Sequence, residues 1–318
     1  MSVGVMSNIL VTGGCGFIGS NFLNYMVHKY PNYNFLNLDI MYYCASLDNI
    51  TVSDYKNYKF VKGNINDYNL IVYLLKSQNI NTIIHFAAQS HVDNSFLESL
   101  KYTEDNVKGT HTLLEAVKNT NKDIKFIHIS TDEVYGESNL NENPKTEVDI
   151  LCPTNPYAAS KAAAEMLVNS YIHSFNLNCI ITRGNNVYGP NQYPEKLIPK
   201  FIKLLKEDKK CTIHGTGNAL RTFIHVNDVS TAVDTILHKG IIGEIYNIGS
   251  EPKNELTVLD VTKKLIKLLK NTDNYENYME LVEDRPFNDK RYFISNQKLK
   301  DLGWEQKISF NKGINFLL

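Results

Sequence analysis

The sequence predicts an α/β chain: a doubly wound parallel sheet with a smaller mixed α/β lobe toward the C-terminus. Three observations carry this expectation. Short apolar runs rich in β-branched residues alternate with longer stretches of helical period, the alternation stops near residue 184, and a glycine-spaced turn joins the first run to the first helical stretch. Domain limits of 1–184 and 185–318 follow, with some segments of the second part expected to return to the first.

The runs expected as strands are "NILVTG", "NFLNLD", "KFVKGNI", "TIIHFAA", "KFIHIS" and "NCIITRG". Each is short and bounded by polar or glycine residues, as in strands buried on both faces. Between them, helical spacing predicts helices over 17–30, 67–77, 95–119 and 156–175. Beyond 184 the elements shorten: a helix over 196–207, one over 227–238 opened by "ND", a strand "EIYNIG", a helix over 257–270, and the polar linker "KNTDNYENY".

Composition excludes several classes. The 318 residues are 43% hydrophobic, enough for a large core, and 33 basic against 34 acidic side chains leave a formal charge of −1. No global field exists for nucleic acid or an anionic membrane, so anionic ligands need local sites. Five cysteines (Cys15, Cys44, Cys152, Cys179, Cys211) show neither CxxC nor Cys/His spacing, which argues against a disulfide framework or structural zinc. "MSVGVMSNILVTGG" has no basic region followed by a long apolar stretch, and a cytoplasmic location is the expectation.

"TGGCGFIGS" places Gly13, Gly16 and Gly19 between the first strand and a helix beginning near Phe17 and Ile18. Such a turn lets the backbone approach a pyrophosphate, whose charge sits on the helix N-terminal amides. Asp39 ends the second strand, where a carboxylate accepts hydrogen bonds from ribose hydroxyls and repels a 2′-phosphate. The combination predicts a Rossmann-like domain that takes NAD rather than NADP. "HFAAQSHVD" supplies small residues along the sheet edge; His85 and His91 are expected to be structural.

"NPYAASKAAAEML" puts Tyr157 and Lys161 four residues apart, on one face of a helix begun by Pro156. A lysine beside a phenol is expected to lower its pKa and make it a base toward an alcohol. The strand "KFIHIS" runs into "STDEVYG", which sets Asp132 beside Glu133 directly after Thr131. Alone, that acidic pair reads equally as a helix cap or a solvated turn.

Tyr157, Lys161 and Thr131 together resemble the extended branch of the short-chain dehydrogenase/reductase superfamily. "AAQSHVDNSF", "STDEVYGE", "TNPYAASKAAAEMLV", "TRGNNVYGPNQYPEKLIPKFI" and "VEDRPFNDKRYF" resemble its nucleotide-diphosphoglucose 4,6-dehydratases across nearly the whole chain. The last two strings are more similar to the UDP-glucose enzymes of UDP-rhamnose synthases than to the dTDP-glucose enzymes. The resemblance implies oxidation at C4, loss of water across C5 and C6, and hydride return to C6. It gives Tyr157 the 4-hydroxyl proton, Thr131 a hydrogen bond to that hydroxyl, Glu133 the C5 proton, and a protonated Asp132 the departing 6-hydroxyl. It assigns Asn64, Ile65, Ala87, Ala88, Ser90, Asn106 and Ser130, with Tyr157 and Lys161, to the cofactor. Ser90, Thr131, Asn186, Lys196, Leu197, Arg221 and Arg285 fall to the substrate.

Two departures stand out: Asn64 where the family has aspartate, and an end at "GINFLL", short of the family's final helix. The resemblance further implies a homodimer formed through the helices at 95–119 and 156–175. Because no epimerase/reductase region follows, a separate protein is expected to act downstream. A 4-epimerase, a UDP-glucuronate decarboxylase and an NAD-binding scaffold without turnover are the competing readings, with Asp132 the discriminating residue.

Overall fold

Ile9, Leu10 and Val11 are all fully buried, yet they enter two different cores, because successive side chains of a strand point to opposite faces. A computed structural model describes residues 7–284 and 289–318. Its main sheet comprises β1 (Asn8–Thr12), β2 (Asn34–Asp39), β3 (Tyr58–Lys62), β4 (Thr82–His85), β5 (Lys125–Thr131), β6 (Cys179–Gly184) and a later strand, β10 (Ile245–Ile248). All run parallel in the order β10-β6-β5-β4-β1-β2-β3. The order reverses between β1 and β4, which opens a crevice at the C-terminal ends of those strands.

Helices cover both faces, as a doubly wound sheet requires. On one side α1 (Phe17–Lys29) and α8 (Val226–Lys239) bury Phe22, Met26, Val229 and Val233 against Ile9, Val11 and Ile84. On the other, α2 (Tyr68–Ser77), α5 (Gly109–Thr120) and α6 (Pro156–Phe175) bury Ile71, Leu113 and Val168 against Leu10, Ile83 and Phe126. The helix expected over 95–119 is broken into α3 (Val92–Leu97), α4 (Ser99–Tyr102) and a π-helical turn, Thr103–Lys108, that leads into α5. The extra residue per turn re-aims Asn106 inward, a register change that hydrophobic spacing does not reveal.

A third core collects Tyr188, Phe201, Leu265 and Phe310. Around it lie β7 (Asn186–Tyr188), α7 (Leu197–Lys206), β8 (Cys211–His214), β9 (Leu220–His225), β11 (Glu255–Thr257), α9 (Val258–Lys270), β12 (Met279–Val282) and α11 (Phe310–Ile314). Strands β11-β9-β7 form one small sheet and β12-β8 another. None of these five strands was anticipated; at three to six residues each they carry too little periodicity. The short α10 (Gln297–Asp301) lies beside β10. Among the described residues no helix is long and apolar enough to cross a membrane.

The 20-residue α6 is begun by Asn155, whose Oδ1 accepts from the Ala158 amide at 2.8 Å, with proline in the first turn. Its seat on the sheet is set by a buried ion pair. Arg183 of β6 donates from Nη2 to Glu165 of α6 at 2.7 Å and from Nε at 3.0 Å, both side chains at or below 3% exposure. Its Nη1 donates to the Tyr135 hydroxyl at 2.7 Å, and Tyr135 donates to Asn247 of β10 at 2.9 Å. Removing one partner strands a buried charge. Glu165→Ala is expected to cost about 3–5 kcal/mol in urea unfolding, and Glu165→Gln less, because the amide retains one acceptor.

Candidate active site

The crevice is a cavity of about 220 Å³. Gly13, Gly16, Phe17, Ile18, Gly19, Asp39, Asn64, Ile65, Ala87, Ala88, Ser90, Ser130, Tyr157, Lys161 and Lys196 all line it. The topology therefore brings the glycine turn, the second-strand carboxylate and the tyrosine–lysine helix to one hollow. Gly13 has φ +72°, and a Cβ there would lie 2.6 Å from the Ala87 backbone. At Gly19 a Cβ would come within 2.4 Å of the Gly13 carbonyl, so any side chain would push α1 off the turn.

These features fit a dinucleotide. No side chain caps the start of α1, so its first amides face the cavity beside the bare Gly16 backbone. Asp39 is held in place by the amides of Cys15 at 2.9 Å and Met41 at 2.8 Å. Burial raises its pKa, and the two amides oppose that shift. Ser130 presents a buried hydroxyl that no protein atom satisfies, at the opposite end of the hollow. Asn64 Oδ1 accepts from the Asn66 amide at 2.9 Å, which shapes the loop after β3. Asn106 stands behind the lining. Its amide grips Gln89 N and O at 2.7 and 3.0 Å and Ser160 at 2.9 Å, bracing the loop after β4 against α6.

His85 bonds Thr12 at 2.7 Å and Thr110 at 3.0 Å, fully buried between strand and helix, and burial holds it well below the usual histidine range. It is a packed structural histidine, as expected. Among the described residues no cluster of histidine, cysteine and carboxylate side chains is arranged to hold a metal.

At the end of β5 the chain turns into a short 3-10 helix, Asp132–Tyr135, capped by Thr131, whose Oγ1 accepts from the Glu133 amide at 3.3 Å. The Thr131 hydroxyl also acts on Tyr157, opposing the upward shift of its phenol. Asp132 is 2% exposed and accepts from Asn185 Nδ2 at 2.7 Å. Burial, then the neighbouring Glu133, push it up to about 7, against the hydrogen bonds of Asn185 and Thr131. Glu133 accepts from Asn155 Nδ2 at 3.1 Å and from the Tyr292 hydroxyl at 3.4 Å. Burial raises it too, opposed by Asn155 and by the charges of Lys196 and Arg221. So "STDEVYG" is a cap in part only: Thr131 caps the turn, and the two carboxyls point inward to Asn185 and Asn155.

One expectation is overturned. Lys161 was to depress the Tyr157 phenol, but the phenol is raised, by burial first and then by Glu133. The Lys161 ammonium donates to the Ile129 carbonyl at 2.7 Å and lies 3.4 Å from His128 Nε2, and burial pulls it down to about 8. Two nearby carboxyls and a dry pocket outweigh one cation whose hydrogen bonds go to the strand.

Of the substrate set, Lys196 donates to the Ser90 carbonyl at 2.7 Å, bridging the two sides of the cavity. Leu197 opens α7 and packs on the third core. Arg221 stacks 4.8 Å over the Tyr292 ring, and Asn186 on β7 has a buried Oδ1 with no protein partner. Arg285 lies outside the described residues.

Comparison with known proteins agrees with this geometry. The family described as GDP-mannose 4,6 dehydratase matches residues 10–316. The chain belongs to that family. A trifunctional UDP-glucose 4,6-dehydratase/UDP-4-keto-6-deoxy-D-glucose 3,5-epimerase/UDP-4-keto-L-rhamnose-reductase of Arabidopsis thaliana is 49% identical over 309 residues, 96% of this chain. The chain spans about half of that relative, 46% of its length. Human dTDP-D-glucose 4,6-dehydratase is 47% identical over 98% of this chain and 89% of its own. The Bacillus anthracis dTDP-glucose 4,6-dehydratase crystallised with NAD superposes with a TM-score of 0.89 at 41% identity, over 97% of this chain and 94% of that one.

Within the dehydratase-family site, sequence reasoning missed Asn155, Asn185, Asp289 and Tyr292. The first reads as an ordinary helix cap, and the second is the single residue between β6 and β7, next to the expected Asn186. Asp289 and Tyr292 sit in "NDKRYF", far along the chain, and only the fold brings them to Glu133.

The raised Asp132 gives a signed prediction. Its folded pKa of about 7 exceeds the ordinary 3.8, so the folded state holds the extra proton between those values. Stability then falls as pH rises through that window. Asp132→Asn removes the titration, so urea unfolding is expected to show the variant gaining up to about 4 kcal/mol on the wild type between about pH 4 and about pH 8.

Proposed function

We propose that this protein is an NAD-dependent nucleotide-diphosphoglucose 4,6-dehydratase, acting on UDP-glucose or, as the alternative base, dTDP-glucose. The observation that carries the reading is the pair of inward carboxyls at the end of β5, beside Tyr157 and held by neutral amides. The names of the relatives and the NAD of the Bacillus structure support it. Gly13, Gly16, Phe17, Ile18 and Gly19 would hold the pyrophosphate, Asp39 the adenosine ribose, and Ser130, Tyr157 and Lys161 the nicotinamide end. The chemistry supplied by bound NAD is uptake of a hydride from C4 and its return to C6.

This chain's residues do the rest. Thr131 and Tyr157 orient the sugar 4-hydroxyl, and Tyr157 takes its proton as the tyrosinate, its own phenol proton having first left to solvent; the raised pKa makes that ionisation costly and the anion a strong base. The new ketone acidifies C5–H, which Glu133 removes. Asp132, part-protonated near neutrality, gives its proton to the departing 6-hydroxyl, and water leaves. Glu133 returns a proton to C5. Residues 1–184 serve as the cofactor domain and 185–318 mainly as the sugar-nucleotide lobe, with α8 and β10 packed back on the first. The keto sugar so formed suits the epimerase and reductase activities named in the Arabidopsis relative.

The protein works as a homodimer in this reading. Leu97 and Leu100 are 84% and 85% exposed, and Met166 of α6, against which α3 and α4 pack, is half exposed, so apolar side chains are available on the expected interface helices. Leu100→Glu is expected to yield a monomer in sedimentation experiments; a wild type already monomeric refutes the dimer.

Incubation with UDP-glucose and with dTDP-glucose is expected to give a product lighter by one water, absorbing in alkali as a 4-keto-6-deoxy sugar. A product isomeric with substrate would mean epimerisation instead. Asp132→Asn should slow elimination more than oxidation, so that reduced-nicotinamide absorbance accumulates, and should abolish the wild type's alkaline limb near pH 7. Equal loss of both steps contradicts the role given to Asp132.

A further inference from the structure

Beyond the acidic pair stands a third carboxylate, Asp289, 3% exposed and belonging to the segment that crosses over the end of β5. Thr154 Oγ1 is 2.9 and 2.8 Å from its two oxygens, and the Tyr292 hydroxyl donates to its Oδ2. The same hydroxyl lies 3.4 Å from Glu133 Oε2, on the oxygen that also accepts from Asn155. One phenol proton is thus shared between two carboxylates. The donor is taken up by Asp289, which Thr154 anchors from the loop before α6.

We infer that Asp289 is a positioning residue for the C5 proton abstraction: through Tyr292 it keeps the phenol's hydrogen bond away from Glu133 and so keeps Glu133 basic. The inference rests on the dehydratase reading for the identity of the step. The physical chemistry has one sign throughout. A carboxylate that accepts a full hydrogen bond is a weaker base, because the bond stabilises its charged form. Tyr292 committed to Asp289 offers Glu133 only a long, weak bond. The negative charge of Asp289 also disfavours ionisation of Glu133. The other charged or titratable groups facing Glu133 are Asp132 on its own turn, Tyr157 from α6, Lys196 before α7 and Arg221 from β9. Lys196 and Arg221 stabilise the Glu133 carboxylate; Asp289 offsets them.

The test reads Glu133 directly. Carbon-13 NMR of carboxyl-labelled glutamate, with Glu133→Gln to assign the signal, gives its titration in the protein without turnover. Asp289→Asn should move that titration down by about 0.5–1 pH unit, since the negative charge is lost and Tyr292 is freed to donate to Glu133. Tyr292→Phe, which leaves Asp289 and Thr154 in contact, should move it up. On the Tyr292→Phe background, Asp289→Asn should give a smaller downward shift than in the wild type.

With UDP-glucose or dTDP-glucose as substrate, whichever is turned over, Asp289→Asn should shift the acidic limb of C5 solvent-deuterium incorporation the same way and lower its plateau about 3- to 10-fold. An unmoved Glu133 titration in Asp289→Asn, or equal shifts with and without Tyr292, overturns the inference. Should Asp289→Asn not fold, an unmoved or lowered titration in Tyr292→Phe overturns it alone. A wild type that forms no dehydrated product refutes the dehydratase reading instead, and the carboxyl titration distinguishes the two failures.

Discussion

The buried pair of Arg183 and Glu165 is the constraint on which the site's geometry depends. The acidic pair lies at the end of β5 and Tyr157 and Lys161 in the first turns of α6, and those elements must meet at a fixed angle. Arg183 ties α6 to β6 through Glu165, and ties both to the turn after the acidic pair through Tyr135. Tyr135 passes the connection to Asn247 of β10, whose amide donates to Glu147 at 2.8 Å. Two charges taken from water are costly, and the two bonds to Glu165 together with the Nη1 bond to Tyr135 offset that cost. A pair of apolar side chains would fill the space without specifying the angle.

Within that frame the site is kept adjustable. Asp132 and Glu133 are each supported by an asparagine amide, from Asn185 and Asn155, rather than by an arginine. A neutral donor steadies a carboxyl without pinning it in the charged form, whereas a guanidinium within reach would hold it ionised. Asp132 can therefore carry a proton near neutrality, as the proposed division of the pair into an acid and a base requires. The lysine helps less directly than its spacing implies, since its hydrogen bonds run to β5 and its own charge is weakened by burial.

Much of this was legible in the linear chain. The strand-helix alternation, Gly13 to Gly19, Asp39 and the Tyr157/Lys161 spacing are local signals, set by backbone sterics and helical period, and the structure gathers them at one crevice. Asn106 was expected at the cofactor but stands behind the cavity lining, because the π-helical turn that buries it leaves no periodic trace. Asn185 carried no periodic signal in "RGNNVYG", because it lies in the break between β6 and β7, where strand alternation assigns no direction. Tyr292 and Asp289 had no local signal, since their partners Glu133 and Thr154 lie more than a hundred residues earlier.

By itself the sequence determined the doubly wound architecture, the placement of a dinucleotide turn and the presence of an acidic pair beside a tyrosine, for these follow from short-range sterics and side-chain periodicity. Only the tertiary structure decided which way each proton leans. Ionisation responds to burial and to every charge within several ångströms, and those neighbours come from α6, β6, β9 and the segment around Asp289, which no spacing rule brings together.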